Sequence, residues 1–293
     1  MKIVLFGGKL GQLGWELRRT LAPLGEVVAV DRDDLDLRDA SALTAFLREQ
    51  APQLIVNASA YTAVDRAETE QDLAFAINEQ APRVMAESAR ALGAGLIHYS
   101  TDYVFDGTLG RPYVEDDTTN PLSIYGRSKL GGEQAIQAAG CAHLIFRTAW
   151  VFSTRGDSFI TKTLQWARQK TELRVVDDQV SNPTWARMLA EATSMLLAQG
   201  AGDVPAYVGE KSGLYHLAGW GFASRYEWAQ QILANDPKRT EQLVQILRPA
   251  RTDEFPAPAE RPLFSALDCS HFERTFGLRL PPWQEALQRC MEN

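Results

Sequence analysis

Cysteine is scarce in this chain, and long apolar runs are missing. The three cysteines are odd in number and scattered, which predicts a reducing compartment and no disulfide framework. No apolar stretch approaches the roughly 20 residues that a membrane-spanning helix needs. Residues 1–8 are too short and too interrupted by glycine for a signal peptide. We therefore expect a cytoplasmic protein with no membrane partner.

Basic runs and metal-ligand spacings are missing as well. The net charge is −7 without a run of lysines and arginines, so generic nucleic-acid binding is not expected. The four histidines show no metal-ligand spacing, and no metal site is predicted. The remaining composition is ordinary for a globular protein, with 45% hydrophobic and 23% charged residues. A chain of 293 residues can bury a large core, as one domain or as two unequal ones.

Strand and helix patterns alternate regularly through the first part of the chain. Predicted strands lie at 3–6, 26–30, 53–57, 95–99, 143–146 and 173–176. Predicted helices lie at 12–24, 40–50, 68–78, 81–92, 125–139 and 157–169. The strands are continuous apolar runs, which are typical of a parallel sheet covered by helices on both faces. The predicted fold class is therefore α/β, a Rossmann-type doubly wound parallel sheet.

The alternation weakens beyond residue 176, where prolines and irregular stretches become frequent. We predict a Rossmann domain over residues 1–176 and a smaller, loop-rich substrate-binding lobe over residues 177–293. A helix is predicted near 184–198 and can pack back against the main sheet. The boundary between the Rossmann domain and the lobe is therefore not sharp.

A glycine-rich turn follows the first strand and opens the first helix. Its spacing is Gly-x-x-Gly-x-x-Gly, with Gly8, Gly11 and Gly14 around Gln12 and Leu13. Such a turn brings backbone N–H groups close to a pyrophosphate at the positive end of the helix. An ordinary tight turn is the alternative. The position directly after strand one favours a dinucleotide site.

The second strand ends at Asp31, 20 residues after Gly11. An acid at this point accepts hydrogen bonds from the hydroxyls of an adenosine ribose. Arg32 can instead pair with the 2′-phosphate of NADP, which a neighbouring acid disfavours. The two residues together predict the use of both NADH and NADPH.

Two further segments extend the predicted cofactor site. Asp36 and Leu37 fall near the adenine, and a solvated turn is the alternative for them. Ala60, Tyr61 and Thr62 follow the third strand and are expected close to the nicotinamide half of the cofactor.

Tyr125 and Lys129 stand four residues apart on a predicted helix and project from the same face. A hydroxyl at the end of the preceding strand, that of Thr101, can point into the same space. This equipment suits proton transfer to or from an alcohol while a cofactor moves a hydride. The Tyr-x-x-x-Lys pattern is weak alone, and the independent dinucleotide signal strengthens it.

Several long motifs resemble the extended short-chain dehydrogenase/reductases, and more narrowly the dTDP-4-dehydrorhamnose reductase family. Beside the glycine spacing, they are residues 57–65 (NASAYTAVD), 99–107 (YSTDYVFDG), 125–129 (YGRSK), 147–151 (RTAWV), 178–179 (DQ), 183–184 (PT) and 261–262 (RP). They cover nearly the whole chain in order. The resemblance implies reduction of the 4-keto group of dTDP-4-dehydro-L-rhamnose by NADPH or NADH. The product is dTDP-L-rhamnose, a donor for bacterial surface polysaccharides.

The resemblance also implies roles for the three residues of the proton site. Tyr125 is expected to protonate the C4 oxygen as hydride arrives. A free tyrosine has a pKa near 10, and the positive charge of Lys129 is expected to lower it. Lys129 is also expected to bond the nicotinamide ribose, and Thr101 to hold the keto oxygen.

Substrate contacts are implied for three more residues. Asp102 and Trp150 are expected to face the sugar, with a turn cap and a core aromatic as the respective alternatives. Arg261 is expected to pair with the nucleotide diphosphate.

Two positions depart from the family pattern. Ser181 and Asn182 stand where a glycine often follows Asp-Gln-x. Some members form homodimers through a magnesium site built of glutamates, and Arg187 stands where such a glutamate is expected. A homodimer therefore stays open, and no metal site is predicted.

Two other functions stay open on the sequence alone. A nucleotide-sugar dehydratase or epimerase shares the fold, but dehydratases of this group place Asp-Glu after the threonine, where this chain has Asp102 and Tyr103. Relatives of the reductase also serve as non-catalytic regulatory subunits of methionine adenosyltransferase. Intact Thr101, Tyr125 and Lys129 argue against that role.

Overall fold

A computed structural model describes residues 1–292 of the chain. Its strands are Lys2–Phe6 (β1), Glu26–Val30 (β2), Leu54–Asn57 (β3), Gly95–Thr101 (β4), His143–Thr148 (β5), Val151–Phe152 (β6), Glu172–Val176 (β7), Val180–Ser181 (β8), Thr184–Trp185 (β9), Gly213–His216 (β10), Ala223–Ser224 (β11) and Ile246–Ala250 (β12).

Its α-helices are Gln12–Thr20 (α1), Ala40–Gln50 (α2), Val64–Ala67 (α3), Gln71–Phe75 (α4), Ala81–Leu92 (α5), Ile124–Ala139 (α6), Phe159–Ala167 (α7), Ala186–Gln199 (α8), Val204–Glu210 (α9), Arg225–Ala234 (α10), Ser270–Phe276 (α11) and Trp283–Met291 (α12). A π-helical stretch, Ala76–Gln80, joins α4 to α5. Over the described residues 1–292, no helix is both long and apolar enough to cross a bilayer.

Six parallel strands form the central sheet in the order β10-β5-β4-β3-β1-β2. The chain runs from β1 to β2 on one side and then crosses to β3 on the other side of β1. Ligands of open α/β sheets bind where the strand order reverses in this way, outside the carboxyl ends of the strands. The carboxyl ends of β1 and β3 therefore locate the functional crevice.

Helices cover both faces of this sheet. Leu5 of β1 packs with Leu17 of α1 on one face. Val4 packs with Leu47 of α2 and Met85 of α5 on the other. Successive residues of β1 thus enter opposite cores, because side chains alternate along a strand. The predicted Rossmann-type doubly wound architecture is confirmed.

The second half of the chain contributes to this sheet more than its sequence indicates. Helix α8 packs against α1, with Leu189 and Leu196 in the same core as Leu17. Strand β10 adds to the sheet beside β5, with Leu214 opposite Ile145. No strand was predicted there, because β10 is only four residues long and begins with glycine.

Strand β7 lies outside the central sheet, although the sequence analysis counted it with the sheet's strands. It pairs with β12 in a separate two-stranded sheet. The reason is visible in its burial pattern, since Leu173 and Val175 are buried while Glu172 and Arg174 are exposed. One-sided burial of this kind suits a small sheet lying on a core rather than a central parallel strand.

An aromatic core holds the smaller lobe together. Trp228 of α10 packs with Phe152, Trp185 and Trp283, and all four side chains are buried. Such large rings bury much apolar surface in a lobe that has little regular sheet.

Candidate active site

The glycine turn after β1 is shaped by contacts that leave no room for side chains. Gly7 adopts a left-handed conformation with φ of 78°. A Cβ atom added to Gly14 would lie 1.9 Å from the carbonyl oxygen of Gly7. Helix α1 begins after Gly11 without a side-chain cap, so its first N–H groups face the crevice. This cradle fits a pyrophosphate.

Gly7 is a member of this cradle that the sequence analysis missed. The sequence feature that could have identified Gly7 is the Gly7-Gly8 pair directly after β1. A left-handed turn at that point requires a residue without Cβ. The neighbouring Gln12 accepts a 2.8 Å hydrogen bond from the hydroxyl of Ser153, which ties the start of α1 to the loop after β6. Leu13 is buried in the core below.

Asp31 clamps the glycine turn from the end of β2. Its Oδ2 atom accepts hydrogen bonds from the backbone N–H groups of Lys9, at 2.7 Å, and Leu10, at 3.1 Å. The Lys9 ammonium pairs with Asp34 at 2.6 Å. Arg32 extends into solvent, with 84% of its side chain exposed. An acid and an exposed guanidinium thus stand side by side at the rim of the cradle.

The two residues predicted near the adenine have different environments. The Asp36 carboxylate pairs with Arg38 at 2.6 Å, and this hydrogen bonding lowers its pKa to about 2. Leu37 packs against the core that contains Leu47. Their contact with a cofactor stays a prediction.

Asn78 fastens the segment of Ala60, Tyr61 and Thr62 to the helix that bears Tyr125. Its Oδ1 atom accepts from the Tyr61 N–H at 2.8 Å. Its amide nitrogen donates to the Tyr61 carbonyl at 3.1 Å and to the Ser128 hydroxyl at 2.9 Å. No sequence motif pointed to Asn78, which is buried in the π-helical stretch. The loop after β3 is thereby held at the edge of the crevice.

Tyr125 stands in the first turn of α6, where its hydroxyl meets that of Thr101. The Ser123 hydroxyl caps this helix by accepting from the Gly126 N–H at 3.2 Å. Thr101 ends β4 and hydrogen-bonds the Tyr125 phenol. Burial raises the pKa of Tyr125, and the Thr101 hydrogen bond opposes that rise. The predicted pair is therefore brought together at the carboxyl edge of the sheet.

Lys129 lies one turn further along α6, almost fully buried at 1% exposure. Its Nζ atom donates to the Tyr99 carbonyl at 2.6 Å and lies 3.2 Å from His98 Nε2. Burial lowers the pKa of Lys129 to about 8. The expected lowering of the Tyr125 pKa is not what the structure gives. Desolvation of the phenol dominates, and the Lys129 amine is turned toward β4.

Asp102 is enclosed by three hydroxyl groups. Its Oδ2 atom accepts from Ser181 at 2.9 Å and from Ser265 at 2.5 Å. Its Oδ1 atom accepts from Thr101 at 3.1 Å. Burial raises the pKa of Asp102, and these hydrogen bonds oppose the rise. Asp102 thus joins the end of β4 to the smaller lobe.

The departure at Ser181 and Asn182 has a structural role. Ser181 supplies one of the hydroxyls to Asp102. The Asn182 side chain accepts from the Leu267 N–H at 2.7 Å and donates to the Gly221 carbonyl at 2.8 Å. The other departure, Arg187, lies 3.5 Å from a carboxylate oxygen of Glu16.

Trp150 has a strained backbone and lies in an aromatic stack. Its φ of 40° is rare for a large side chain, and such strain concentrates at functional sites. Its ring stacks on Trp228 with centroids 5.4 Å apart. The guanidinium of Arg225 lies 3.8 Å from the Trp150 ring centroid. No sequence motif pointed to Arg225, because it is the first residue of a helix in the irregular lobe.

Tyr103 connects this stack to the proton site and to Arg261. Its hydroxyl hydrogen-bonds both Arg225 and Arg261. Its ring meets the edge of Tyr125 with centroids 5.8 Å apart. Arg261 also pairs with Asp65, which follows β3, at 2.8 Å. The smaller lobe is therefore bound to the Rossmann half beside the tyrosines.

A cavity of about 810 Å³ opens next to Arg225 and Arg261. Cationic and aromatic side chains share its walls. They are Lys162, Lys170, Arg174, Arg225 and Arg261, with Phe159, Trp166 and Phe255. Guanidinium groups suit a diphosphate, and aromatic rings suit the face of a base or sugar.

The structure thus contains a glycine turn whose N–H groups suit a pyrophosphate, a tyrosine beside a threonine hydroxyl, and a cavity lined by cationic and aromatic side chains. Over residues 1–293 the chain matches the family described as RmlD substrate binding domain. A curated relative, the dTDP-4-dehydrorhamnose reductase of Burkholderia thailandensis, is 40% identical over 296 residues, covering 100% of this chain and 99% of the relative.

Two solved structures have the same fold over almost their whole length. The dTDP-4-dehydrorhamnose reductase of Clostridium acetobutylicum has a TM-score of 0.91 at 35% identity, covering 100% of this chain and 99% of that one. The Bacillus anthracis enzyme, solved in complex with NADP, has a TM-score of 0.87 at 30% identity, covering 99% and 98%. The chain therefore belongs to the RmlD substrate binding domain family.

Proposed function

We propose that this chain is an oxidoreductase that reduces the C4 keto group of dTDP-4-dehydro-L-rhamnose with NADPH or NADH. The product is dTDP-L-rhamnose, a nucleotide sugar for surface polysaccharide such as O-antigen. The observation that carries the proposal is the placement of the Tyr125 phenol, in the first turn of α6, beside the Thr101 hydroxyl at the carboxyl end of β4. The full-length similarity to reductases of this name supports the choice of substrate.

Cofactor binding is assigned to the cradle at the end of β1. The N–H groups behind Gly8 and Gly11 would hold the pyrophosphate, since added Cβ atoms have no room there. Asp31 would accept from the adenosine ribose, and Arg32 would pair with the 2′-phosphate of NADPH. When bound, the reduced nicotinamide supplies the hydride that reaches C4.

Tyr125 would give its proton to the C4 oxygen as that hydride arrives, and a secondary alcohol results. The raised pKa of Tyr125 keeps the phenol protonated at neutral pH, as a proton donor must be. Thr101 would hold the same oxygen and orient the phenol. Lys129 would bond the nicotinamide ribose and help to return a proton to the phenolate.

The substrate would lie between the crevice and the cationic cavity. Arg225 and Arg261 line the cavity, interact with Tyr103 beside Tyr125, and would pair with the substrate's diphosphate. The ring of Trp150 would cover the sugar, and Asp102 would keep Thr101 in place from below. Tyr103 stands where dehydratases of this group have a glutamate, and its hydroxyl interacts with two arginines. The lack of an acid at this position disfavours the dehydratase alternative.

We infer that residues 1–176 contain the cofactor site and that residues 177–293 form most of the substrate lobe. Helix α7 and strand β7 join that lobe, while α8 and β10 return to the sheet. Cys141, Cys269 and Cys290 are unpaired thiols, in keeping with a cytoplasmic enzyme. A homodimer is part of the proposal, and light scattering during gel filtration tests it.

Loss of NAD(P)H absorbance with dTDP-4-dehydro-L-rhamnose tests the activity. We expect rapid oxidation by the parent chain and a loss of at least ~10²-fold in Tyr125→Phe. Tyr207→Phe removes a hydroxyl on α9 that bonds Gln199, and this matched control should keep full activity. A parent protein that binds a cofactor and oxidises neither NADPH nor NADH would overturn the proposal.

A further inference from the structure

A buried chain of hydrogen bonds runs from the loop after β3 to the amine of Lys129. Asn57 Oδ1 accepts from the Ser59 N–H at 3.1 Å. The Asn57 amide nitrogen lies 3.0 Å from His98 Nδ1. His98 Nε2 lies 3.2 Å from Lys129 Nζ. Asn57, His98 and Lys129 are each at most 1% exposed, so solvent does not replace these contacts.

The Ser59 backbone determines the direction of this chain. A backbone N–H can only donate, so it must face the carbonyl oxygen of the Asn57 amide. The amide nitrogen of Asn57 then donates to His98 Nδ1, which has to be the unprotonated nitrogen. A neutral His98 therefore carries its proton on Nε2. Burial lowers the pKa of His98 well below its ordinary value, so the ring stays neutral.

The Nε2 proton of His98 points at the Lys129 amine. An ammonium group has no lone pair to accept it, whereas a neutral amine has one. The neutral amine also keeps a donor for the Tyr99 carbonyl at 2.6 Å. In the charged form, the Lys129 ammonium and the His98 Nε2–H group are both donors and lie 3.2 Å apart without an acceptor between them. Geometry around Lys129 thus opposes its positive charge.

Other charged groups near Lys129 do not cancel this effect. Glu133, one turn later on α6, favours the ammonium but is itself bonded to Arg147 of β5 at 2.7 Å and to the Ser100 hydroxyl of β4. Tyr125, one turn earlier on the same helix, stays protonated near neutrality because burial raises its pKa.

We propose that Asn57, by selecting the tautomer of His98, aims the Nε2–H group of His98 at Lys129 and so makes Lys129 a proton carrier. Asn57 and His98 are positioning residues, and neither needs to touch the substrate. The inference rests on the proposed function, because such a carrier serves an enzyme whose Tyr125 gives up a proton in each turnover. The ammonium of Lys129, one helical turn from Tyr125 on α6, is the source of the returning proton, and the amine that remains accepts the His98 hydrogen bond.

Nuclear magnetic resonance of the intact chain tests this without substrate. In ¹⁵N-histidine protein, we expect His98 to show the tautomer protonated at Nε2, and finding the proton on Nδ1 would overturn the proposal. In ¹³C-lysine protein, the signal missing from Lys129→Met identifies Lys129. We expect it to titrate near pH 8. A midpoint close to 10.5, the ordinary value for lysine, would also contradict the proposal.

Two variants test the tautomer, and Asn57→Ala does so without adding a charge. Asn57→Ala removes the donor that fixes His98 and adds no charge, so the Lys129 midpoint should rise by about one pH unit or more. In Asn57→Asp, the new carboxylate accepts a hydrogen bond from a protonated His98 Nδ1. The midpoint of the Lys129 titration should then rise further than in Asn57→Ala. The pH at which kcat changes should follow both midpoints while KM stays near the parent value. An unchanged midpoint in folded Asn57→Ala would refute the mechanism, and the parent tautomer decides if the variant does not fold.

The titration tests the Lys129 assignment and the turnover assay tests the proposed function, so each proposal can be refuted without the other. A chain that never oxidises NAD(P)H but shows the expected tautomer and midpoint would remove the proposed function and leave the Lys129 assignment. A fully active chain in which Lys129 stays charged up to pH 10 would remove the Lys129 assignment and leave the proposed function.

Discussion

The carboxylate of Asp102 accepts a 2.9 Å hydrogen bond from the hydroxyl of Ser181, a residue 79 positions later in the chain. This bond joins the carboxyl end of β4 to the smaller lobe at a point where both side chains are fully buried. A buried carboxylate needs such donors, because removing a charge from water without partners is costly. The hydroxyl of Ser265 completes the arrangement.

Replacing Ser181 by alanine should therefore weaken the link between the lobes. We expect Ser181→Ala to lower the free energy of unfolding by about 1–3 kcal/mol, since it leaves a buried acceptor short of a donor. Urea unfolding measures the change. Ser41→Ala, at an exposed position of α2, is the control and should shift the midpoint very little. Equal effects of the two substitutions would show that the bond to Asp102 contributes nothing.

Arg225→Met should weaken substrate binding far more than turnover. The guanidinium lies 3.8 Å from the Trp150 ring centroid and lines the cationic cavity, so its loss removes a charge-assisted contact. We expect KM for the nucleotide sugar to rise roughly 10- to 100-fold, which corresponds to about 1.5–3 kcal/mol, with a smaller change in kcat. Steady-state kinetics at saturating NADPH measures both.

The control for that substitution is Arg279→Met. Arg279 also lies over a tryptophan ring, that of Trp220, at 5.2 Å, but it lies outside the cavity lining. Its KM should match the parent value. A comparable rise in KM for both variants would mean that Arg225 acts through general surface charge.

Gly14→Ala should abolish the cofactor cradle. The new Cβ would lie 1.9 Å from the Gly7 carbonyl oxygen, so the turn and α1 must separate. Overpacking of this kind costs about 1–3 kcal/mol and sometimes more. We expect NADPH binding, followed by fluorescence titration, to weaken beyond detection or the chain to lose stability. Gly202→Ala has nothing within 4 Å of its Cβ and should bind as the parent does.

The charge of Lys129 should make stability depend on pH between about 8 and 10.5, the folded and ordinary pKa values. In this window the unfolded chain binds the proton that the folded chain has released, so stability rises with pH. Relative to Lys129→Met, the parent should gain up to roughly 3 kcal/mol between pH 7 and 10.5. Urea unfolding of both proteins across this range checks the difference. A constant difference would mean that Lys129 stays charged after folding.

The sequence by itself determined the features that depend on near neighbours. Continuous apolar runs located five strands of the central sheet, because a strand buried on both faces has to be apolar at successive positions. The glycine spacing located the cradle, because a tight turn after a strand needs residues without Cβ. The four-residue spacing of Tyr125 and Lys129 placed them on one helix face, because an α-helix repeats every 3.6 residues.

Tertiary structure alone decided which distant elements meet. The sequence could not show that β10 would close the sheet beside β5 and that β7 would pair with β12, because short strands find partners through packing of the whole chain. It also could not show the direction of the Tyr125 pKa, which depends on how much water the surrounding lobe excludes. The contacts of Asp102 with Ser181 and of Lys129 with His98 span 79 and 31 positions, and no local periodicity records such separations.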